Sequence, residues 1–356
     1  MIWIFIICLT LFIILLEKKL SKVSLRNLSV CNSINVTLAE PDESITLTSK
    51  IYNKGFFPIM YVKLTQCLPL ISHIIMEEKG NGYKITADKE VFYVQCVMYL
   101  MPHMRRTFQY HFSLPDRGVY ELGDFSLSAG DYLGIHDSSS SGKSPVRIVI
   151  MPHRSQNTEV LKTIGGFIGD ISVRRFILED PVMTIGFNEY TGREPFKSIS
   201  WLRTARTGKL HVNQYDHTVD ITVSVILNTE NGSESRLEVC YSLTRTVCEE
   251  LEKKHIPYEF YSNGDISGPL GMLSHVSEGL GKQHLNTILY GLGCARHECV
   301  QSFETLIKQC IQHQKPNQGY IIISPTMSTE QLAIVEHLKR TVTENVCVLI
   351  GEHEEN

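Results

Sequence analysis

Hydrophobic and polar residues alternate at period two along much of the first third of the chain. In RRTFQYHFSL, Phe108, Tyr110, Phe112 and Leu114 fall on one face of an extended strand. In ITLTSKIYNKG, Ile45 and Leu47 alternate with threonine. Turn signals punctuate these runs at Asn53-Lys54-Gly55, Gly80-Asn81-Gly82, Asp116-Arg117-Gly118 and Gly130-Asp131. No long amphipathic helix interrupts them. Short strands with regular turns predict an antiparallel β-sandwich over residues 25–152. The polar stretch DSSSSGKSP, residues 137–145, reads as a flexible hairpin loop. Strand character returns directly after it in VRIVIMP.

The pattern changes from Asp220 onward. ITVSVIL is a continuous apolar run of the kind found in buried parallel strands. A helix is predicted over 236–254, with Cys240, Leu243, Val247 and Leu251 as its apolar stripe and Ser235 with Glu238 as a capping box. PYEFYS is the next strand. A helix from about Cys299 to His313 carries Val300, Phe303, Leu306, Ile307 and Cys310 on one side. YIIIS is another buried strand, Ser328 and Gln331 cap a helix through Arg340, and VCVLIG ends the series. This alternation predicts a parallel sheet over residues 220–356 with helices on both faces, so the fold class expected is α/β plus all-β. Residues 153–219, rich in Gly, Arg and Thr, show no sustained period and read as a connecting region.

Met1 to Leu16 carries no charge and is almost wholly apolar. A spanning helix needs about 17–25 residues, so a membrane helix over residues 1–20 is expected at the short end of that range. The basic residues Lys18, Lys19, Lys22 and Arg26 follow the apolar run instead of preceding it, and no small-residue cleavage site is present, which argues against a secretory signal. The positive-inside tendency then predicts a single-pass protein of the cell membrane, with residues 1–16 in the bilayer and the soluble part in the cytoplasm. The alternative is a buried first strand or helix.

Length and composition change this picture little. The 356 residues suit two soluble domains, and 43% hydrophobic content is ample for two cores. A net charge of −4 gives no global nucleic-acid footprint. The ten cysteines are scattered without a CxxC pair and read as reduced, mostly buried thiols. Cys294, His297 and Cys299 lie close together in CARHEC but lack the fourth ligand and spacing of a zinc site. There are fourteen histidines, yet no G-x-S-x-G elbow, H-E-x-x-H or P-loop accompanies them. No catalytic residue, metal or cofactor is therefore nominated.

One segment is distinctive. Residues 188–215 read NEYTGREPFKSISWLRTARTGKLHVNQY. Tyr190, Gly192, Ile199, Trp201, Thr204, Ala205, Arg206 and Leu210 stand at the positions of an aromatic, Gly-Asp, Ile-x-Trp, Ser/Thr-Ala-Arg signature. DRGVYELGDFSLSAGDYLGIHD followed by RIVIMP extends the likeness upstream. The sequence thus resembles the domain of unknown function 58 family (DUF-58), over roughly residues 100–260. The resemblance implies a von Willebrand factor A-like α/β domain, a membrane anchor and a partner among the MoxR-type AAA+ ATPases. It implies an adaptor in the assembly or maturation of other proteins, and no enzyme.

Two departures from the family pattern matter. Arg193 stands where the family has aspartate, with Glu194 next to it as a substitute carboxylate. The oxygen-rich Asp-x-Ser-x-Ser metal loop is replaced by Leu227-Asn228-Thr229-Glu230-Asn231, and the later strand ends in Ser324-Pro325-Thr326 with no carboxylate. Asn228 and Glu230 are thus degenerate metal-loop positions, and the cation site is read as lost. Arg193, Lys197, Arg203, Arg206 and Lys209 surround Trp201. They form a docking surface for a protein or an anionic lipid head group, or else the segment is structural. Burial of Trp201 as a packing anchor, with Arg206 paired, is the expectation. Two other functions stay open: a metal-dependent adhesion module outside the cell, and a hydrolase with an unrecognised site.

Overall fold

In the computed structural model the chain divides into two compact units, Met1–His153 and Arg154–Asn356. The structure describes Trp3 and residues 25–74, 83–88, 91–130, 137–177, 180–216, 222–268, 271–272, 274–315, 318–341 and 346–351. The expected membrane helix, residues 1–20, lies outside the described residues apart from Trp3. Among the described residues no helix is long and apolar enough to cross a membrane.

Among its described residues the first unit holds ten strands: β1 (Leu28–Ile34), β2 (Leu38–Ala39), β3 (Ile45–Asn53), β4 (Ile59–Pro69), β5 (His73–Ile74), β6 (Tyr83–Ala87), β7 (Val91–Leu100), β8 (Arg105–Ser113), β9 (Gly118–Gly130) and β10 (Asp137–Ile150). One sheet has the order β1-β3-β8-β5, the other β2-β10-β9-β4-β7-β6. All pairings are antiparallel except β2 with β10. The two sheets share one core, with Ile45, Leu47, Tyr110 and Phe112 from the first meeting Leu68, Val94, Cys96 and Ile148 from the second. The period-two pattern causes this, because each strand can then present one dry face. A second cluster, including Ile51, Ile59, Leu64 and Leu100, closes one end, and Leu25 and Leu28 pack against it. A satisfied polar group crosses the interior: Ser49 Oγ donates to Asn32 Oδ1 at 2.7 Å, and Gln66 Nε2 donates to Asp124 O at 3.2 Å.

The serine-rich stretch expected as a loop is strand instead. It pairs with β9 from Asp137↔Gly130 to Lys143↔Asp124, with a bulge before Val146. Composition misled here because β9 supplies the hydrogen bonds, while serine tolerates the solvent-facing side. Pro145, which has no N–H to give, falls in the bulge.

The second unit opens with α1 (Thr158–Ile177), inside the segment expected to be irregular. Asn157 caps it, its Oδ1 accepting from the N–H groups of Glu159 and Val160 at 3.0 and 3.1 Å. Ile164 and Ile168, one turn apart, are buried to 0% and 1% exposure. Gly165, Gly166 and Gly169 each cost the helix about 1 kcal/mol in propensity, which hid the pattern. Packing of α1 on the rest of the unit outweighs that cost. A two-stranded ribbon follows, β11 (Asp180–Glu189) with β12 (His211–Asp216), and between them lie a 3-10 turn at Phe196–Ser198 and α2 (Trp201–Thr207).

The main sheet contains β13 (Val223–Leu227), β14 (Tyr258–Ser262), β17 (His275–Gly279), β18 (Gly319–Ser324) and β19 (Val346–Ile350), in the order β17-β14-β13-β18-β19. Only β17 runs antiparallel. A two-stranded turn, β15 (Ser267–Gly268) and β16 (Gly271–Met272), precedes β17. Four helices complete the described part of the unit: α3 (Glu234–Lys253), α4 (Lys282–Cys294), α5 (Phe303–Gln312) and α6 (Thr329–Thr341). Every residue of β13, β14 and β18 is buried, so both faces are covered. Helices α5 and α6 cover the face of Ile226, Tyr320 and Ile322, and α3 packs on β13 and β18 from the other side. The cap of α3 is Ser233 and not Ser235, and its hydroxyl makes no capping bond. Helix α5 begins later than expected, at Phe303 after Ser302, leaving Val300 57% exposed. At α6 the reciprocal cap forms as read: Gln331 N donates to Ser328 Oγ at 3.2 Å, and Ser328 N to Gln331 Oε1 at 3.1 Å.

Candidate functional site

Strand β13 is followed in sequence by β14 on one side, and the chain later crosses to β18 on the other. The crevice beyond the carboxyl ends of β13 and β18 is therefore the switch point at which open α/β sheets place their ligand sites. Asn228 and Ser324 stand there, at 0% exposure each, with Asn263 beside them after β14 at 1%. Asn228 Nδ2 donates to Ser324 Oγ at 2.9 Å, and Asn263 Nδ2 donates to Asn228 Oδ1 at 2.8 Å. Asn228 Oδ1 also accepts from Glu230 N–H at 3.1 Å, while Asn263 Oδ1 accepts from Thr229 N–H at 2.8 Å. Ser324 O–H in turn donates to Thr326 O at 2.6 Å.

Amide oxygens and hydroxyl at this crevice are thus already committed to protein donors. A hard divalent cation takes six or more oxygen ligands, some of them waters, and is held by the protein mainly through carboxylates. These residues do not fit it. The nearest carboxylate, Glu230, is turned to structural use: its Oε2 accepts from Phe303 N–H at the start of α5 at 3.0 Å and from Gln331 Nε2 at the start of α6 at 3.1 Å. One anion thereby serves two helix N-termini, where the backbone donors and dipole favour negative charge. Asn228 and Glu230 were singled out from the sequence. Asn263 was not, because it lies 35 residues from Asn228 and only the parallel pairing of β13 with β14 brings them together.

The signature segment folds as the ribbon and its crossing helix. Tyr190 N–H donates to Leu210 O at 2.9 Å, and Ser200 N–H to His211 O at 2.8 Å, so the signature closes on itself. Gly192 has φ 86° in the left-handed region, which an L side chain rarely adopts. Glu194 folds back on the same turn, its two oxygens accepting from Thr191 N–H at 3.0 Å and Thr191 Oγ1 at 2.8 Å. The Thr191 hydroxyl in particular holds its carboxyl below the usual range. Ile199 is buried to 5% and bridges Val212. Thr204 faces the ribbon, its Oγ1 accepting from His211 N–H at 3.1 Å.

The expected anchor is not one. Trp201 is 66% exposed, and Ala205 and Arg206 are exposed too. The reason is local. Ile199 and Thr204 supply the inward contacts of this short turn and helix, which leaves Trp201 and its neighbour Leu202, 71% exposed, on the outer side. Phe196 adds a third large apolar side chain at 73% exposure, its ring 5.8 Å from that of Tyr190. The same segment carries several cations. Arg203 lies 5.4 Å over the Phe187 ring, Lys209 pairs with Glu189 at 3.1 Å, and Arg193 and Lys197 are exposed.

Cys294 is buried, Cys299 is exposed and donates to Gln301 O, and His297 is held by Glu238 at 2.8 Å. Among the described residues no three His, Cys, Asp or Glu side chains form a metal-binding group. A serine–carboxylate pair does exist, Ser224 Oγ to Glu259 Oε1 at 2.6 Å, but both residues lie inside the sheet at 0% and 3% exposure. Burial pushes the Cys96 thiol up to about 11 and the Cys240 thiol up to about 12, which removes them as nucleophiles near neutral pH.

No protein-family model matches the sequence, and no curated protein matches it. Among solved structures, the chain resembles the sporulation control protein Spo0M from Bacillus subtilis at 17% identity and a TM-score of 0.21, covering 46% of this chain and 58% of that one. It resembles a non-cellulosomal cohesin from the archaeon Archaeoglobus fulgidus at 12% identity and a TM-score of 0.24, covering 38% of this chain and 97% of the cohesin. A third, alpha-2-macroglobulin from Escherichia coli, has 17% identity and a TM-score of 0.24 over 36% of this chain and 17% of that one. Likenesses this slight carry neither fold nor function to this chain.

Proposed function

We propose that the chain is a membrane-anchored, non-enzymatic adaptor of the DUF-58 type. In this reading the second unit is a von Willebrand A-like domain whose cation site has been rebuilt as a neutral hydrogen-bond network. The leader over residues 1–16 holds the protein in the membrane, the soluble units lie in the cytoplasm, and a MoxR-type AAA+ ATPase docks on the signature ribbon. The observation that carries the reading is the exposure of Trp201, Leu202 and Phe196, at 66%, 71% and 73%, on a short turn and the helix that follows it, in a segment rich in exposed Arg and Lys. Large apolar side chains clustered in water mark an interaction surface, and Trp framed by Arg is the composition of a binding hot spot. The closed network at Asn228 supports a partner contact that needs no bridging cation.

The test is a pull-down of the full chain from detergent-solubilised native membranes, with the bound proteins identified by mass spectrometry. A MoxR-type ATPase should be recovered in amounts comparable to the bait. Recovery of no ATPase, or of equal amounts from a control bait, would overturn the reading.

A further inference from the structure

The first unit carries a second exposed apolar surface, far from the signature ribbon in sequence. It is built by the β3–β4 and β7–β8 turns and the start of β4, at one end of the sandwich. Phe56 and Phe57 are 82% and 58% exposed, and Met60 and Met101 are 54% and 47% exposed. These are not frayed turns. Asn53, 1% exposed, ties them together: its Nδ2 donates to Phe57 O at 2.9 Å and Met101 O at 3.2 Å. The Phe56 ring meets the His103 ring edge-on at 5.3 Å.

The chain joins the sandwich at this same end. Leu28 pairs with Asn53, and Lys54 N–H donates to Asn27 O at 2.8 Å. Leu25 and Leu28 pack into the core cluster below, so the point of attachment is fixed. Only residues 17–24 separate it from the apolar run that ends at Leu16. Eight residues extend to at most ~30 Å at ~3.5 Å each, and they include Lys18, Lys19 and Lys22.

Charge is divided along the sandwich. Arg26, Lys54, Arg105 and Arg106 lie at the leader end, against Asp137 among the described residues. Arg105 and Arg106 sit over the Tyr52 and Tyr99 rings, at 5.6 and 5.5 Å. Glu40, Asp42, Glu43, Asp88 and Asp116 lie at the other end, against Arg117 among the described residues, and there Asp42 N–H donates to Leu114 O at 2.9 Å.

We infer that the leader end of the sandwich is a membrane-contact surface, in which Phe56, Phe57, Met60 and Met101 enter the interfacial layer of an anionic bilayer while Lys54, Arg105 and Arg106 meet its phosphates. Exposed Phe and other apolar side chains flanked by basic residues insert at the boundary of headgroups and acyl chains, and basic residues close to a membrane anchor are drawn to anionic lipid. The inference rests on the leader being a membrane anchor. The contact would stand the sandwich upright on the bilayer, with its acidic end away from the surface.

The test uses the full chain in vesicles of phosphatidylcholine and phosphatidylglycerol, with the photoreactive residue benzoylphenylalanine in place of Phe56, Met101 or, at the opposite end, Ile71. Vesicle flotation reports the anchor independently. The expected result is flotation of all three proteins, with lipid adducts at positions 56 and 101 and none above background at 71. Flotation without lipid adducts at 56 and 101 would overturn the inference and leave the anchor standing. A crosslink from position 56 to the chain's own leader would overturn it as well, by making the leader the occupant of the patch. Failure to float would overturn both. Phe56 and Met101 are exposed, so unchanged denaturation midpoints should confirm that the substituted proteins are folded.

Discussion

At the scale of single residues, the decisive fact is that Asn228 is both neutral and fully employed. It accepts from Asn263 and Glu230 and donates to Ser324. That the residue at this position is neutral is legible in the sequence. The reason it is stable is not, because Asn263 and Ser324 reach it only through strand pairing. Asn228→Asp makes a sharp test. It would bury a carboxylate against Ser324 Oγ, whose proton already goes to Thr326 O. A lost donor and an uncompensated buried charge should cost at least ~2 kcal/mol. Millimolar magnesium should not restore the denaturation midpoint. Full rescue by magnesium would mean that the crevice still accepts a cation. Trp201 shows the opposite case, since its identity suggested burial. The side chains that took the inward positions, Ile199 and Thr204, were in plain sight, but nothing in their spacing ranked them above an indole.

At the scale of elements, periodic segments were legible and aperiodic ones were not. Strands β13, β14, β18 and β19 and the cap of α6 follow from apolar runs and cap chemistry. Helix α1 was hidden by its glycines, and β10 by its serines, since in both cases the partner element and not the local sequence sets the structure. Glu230 illustrates how elements are joined. Because it serves the starts of both α5 and α6, Glu230→Ala should lower stability by about 1–2 kcal/mol, read from chemical denaturation. No change would show that the two helix starts find equivalent partners in water. The edge strand β17 has its own fastening. Glu278 accepts from Thr222 Oγ1 at 2.9 Å and pairs with Lys315. The Lys315 bond, ahead of the opposing effect of burial, holds the Glu278 carboxyl below its ordinary range. A carboxyl depressed on folding stabilises above its unfolded value, and that contribution fades as pH falls through the depressed one. Stability measured against pH should therefore drop on the acid side. Glu278→Gln should flatten that limb, and an unchanged acid limb in the variant would remove Glu278 from the account.

At the scale of the whole molecule, the proposed adaptor combines an apolar leader, a sandwich and an α/β unit. The basic residues that follow Leu16 predict a cytoplasmic soluble part, so a reporter fused after Asn356 should be active in the cytoplasm and inaccessible from outside intact cells. Outside accessibility would reverse the topology. The central claim is that the signature ribbon is a binding surface and not a packing element, and the full chain carrying Trp201→Ala tests it most directly through two readouts on one protein. At 66% exposure, Trp201 should contribute less than ~0.5 kcal/mol to folding, so the denaturation midpoint should stay within error of the parent. Capture of the ATPase should fall by a factor of about 30 or more, the loss of a hot spot worth ~2 kcal/mol. A sharp fall in the midpoint, of the size that removal of a buried aromatic produces, or undiminished capture at an unchanged midpoint, would contradict it.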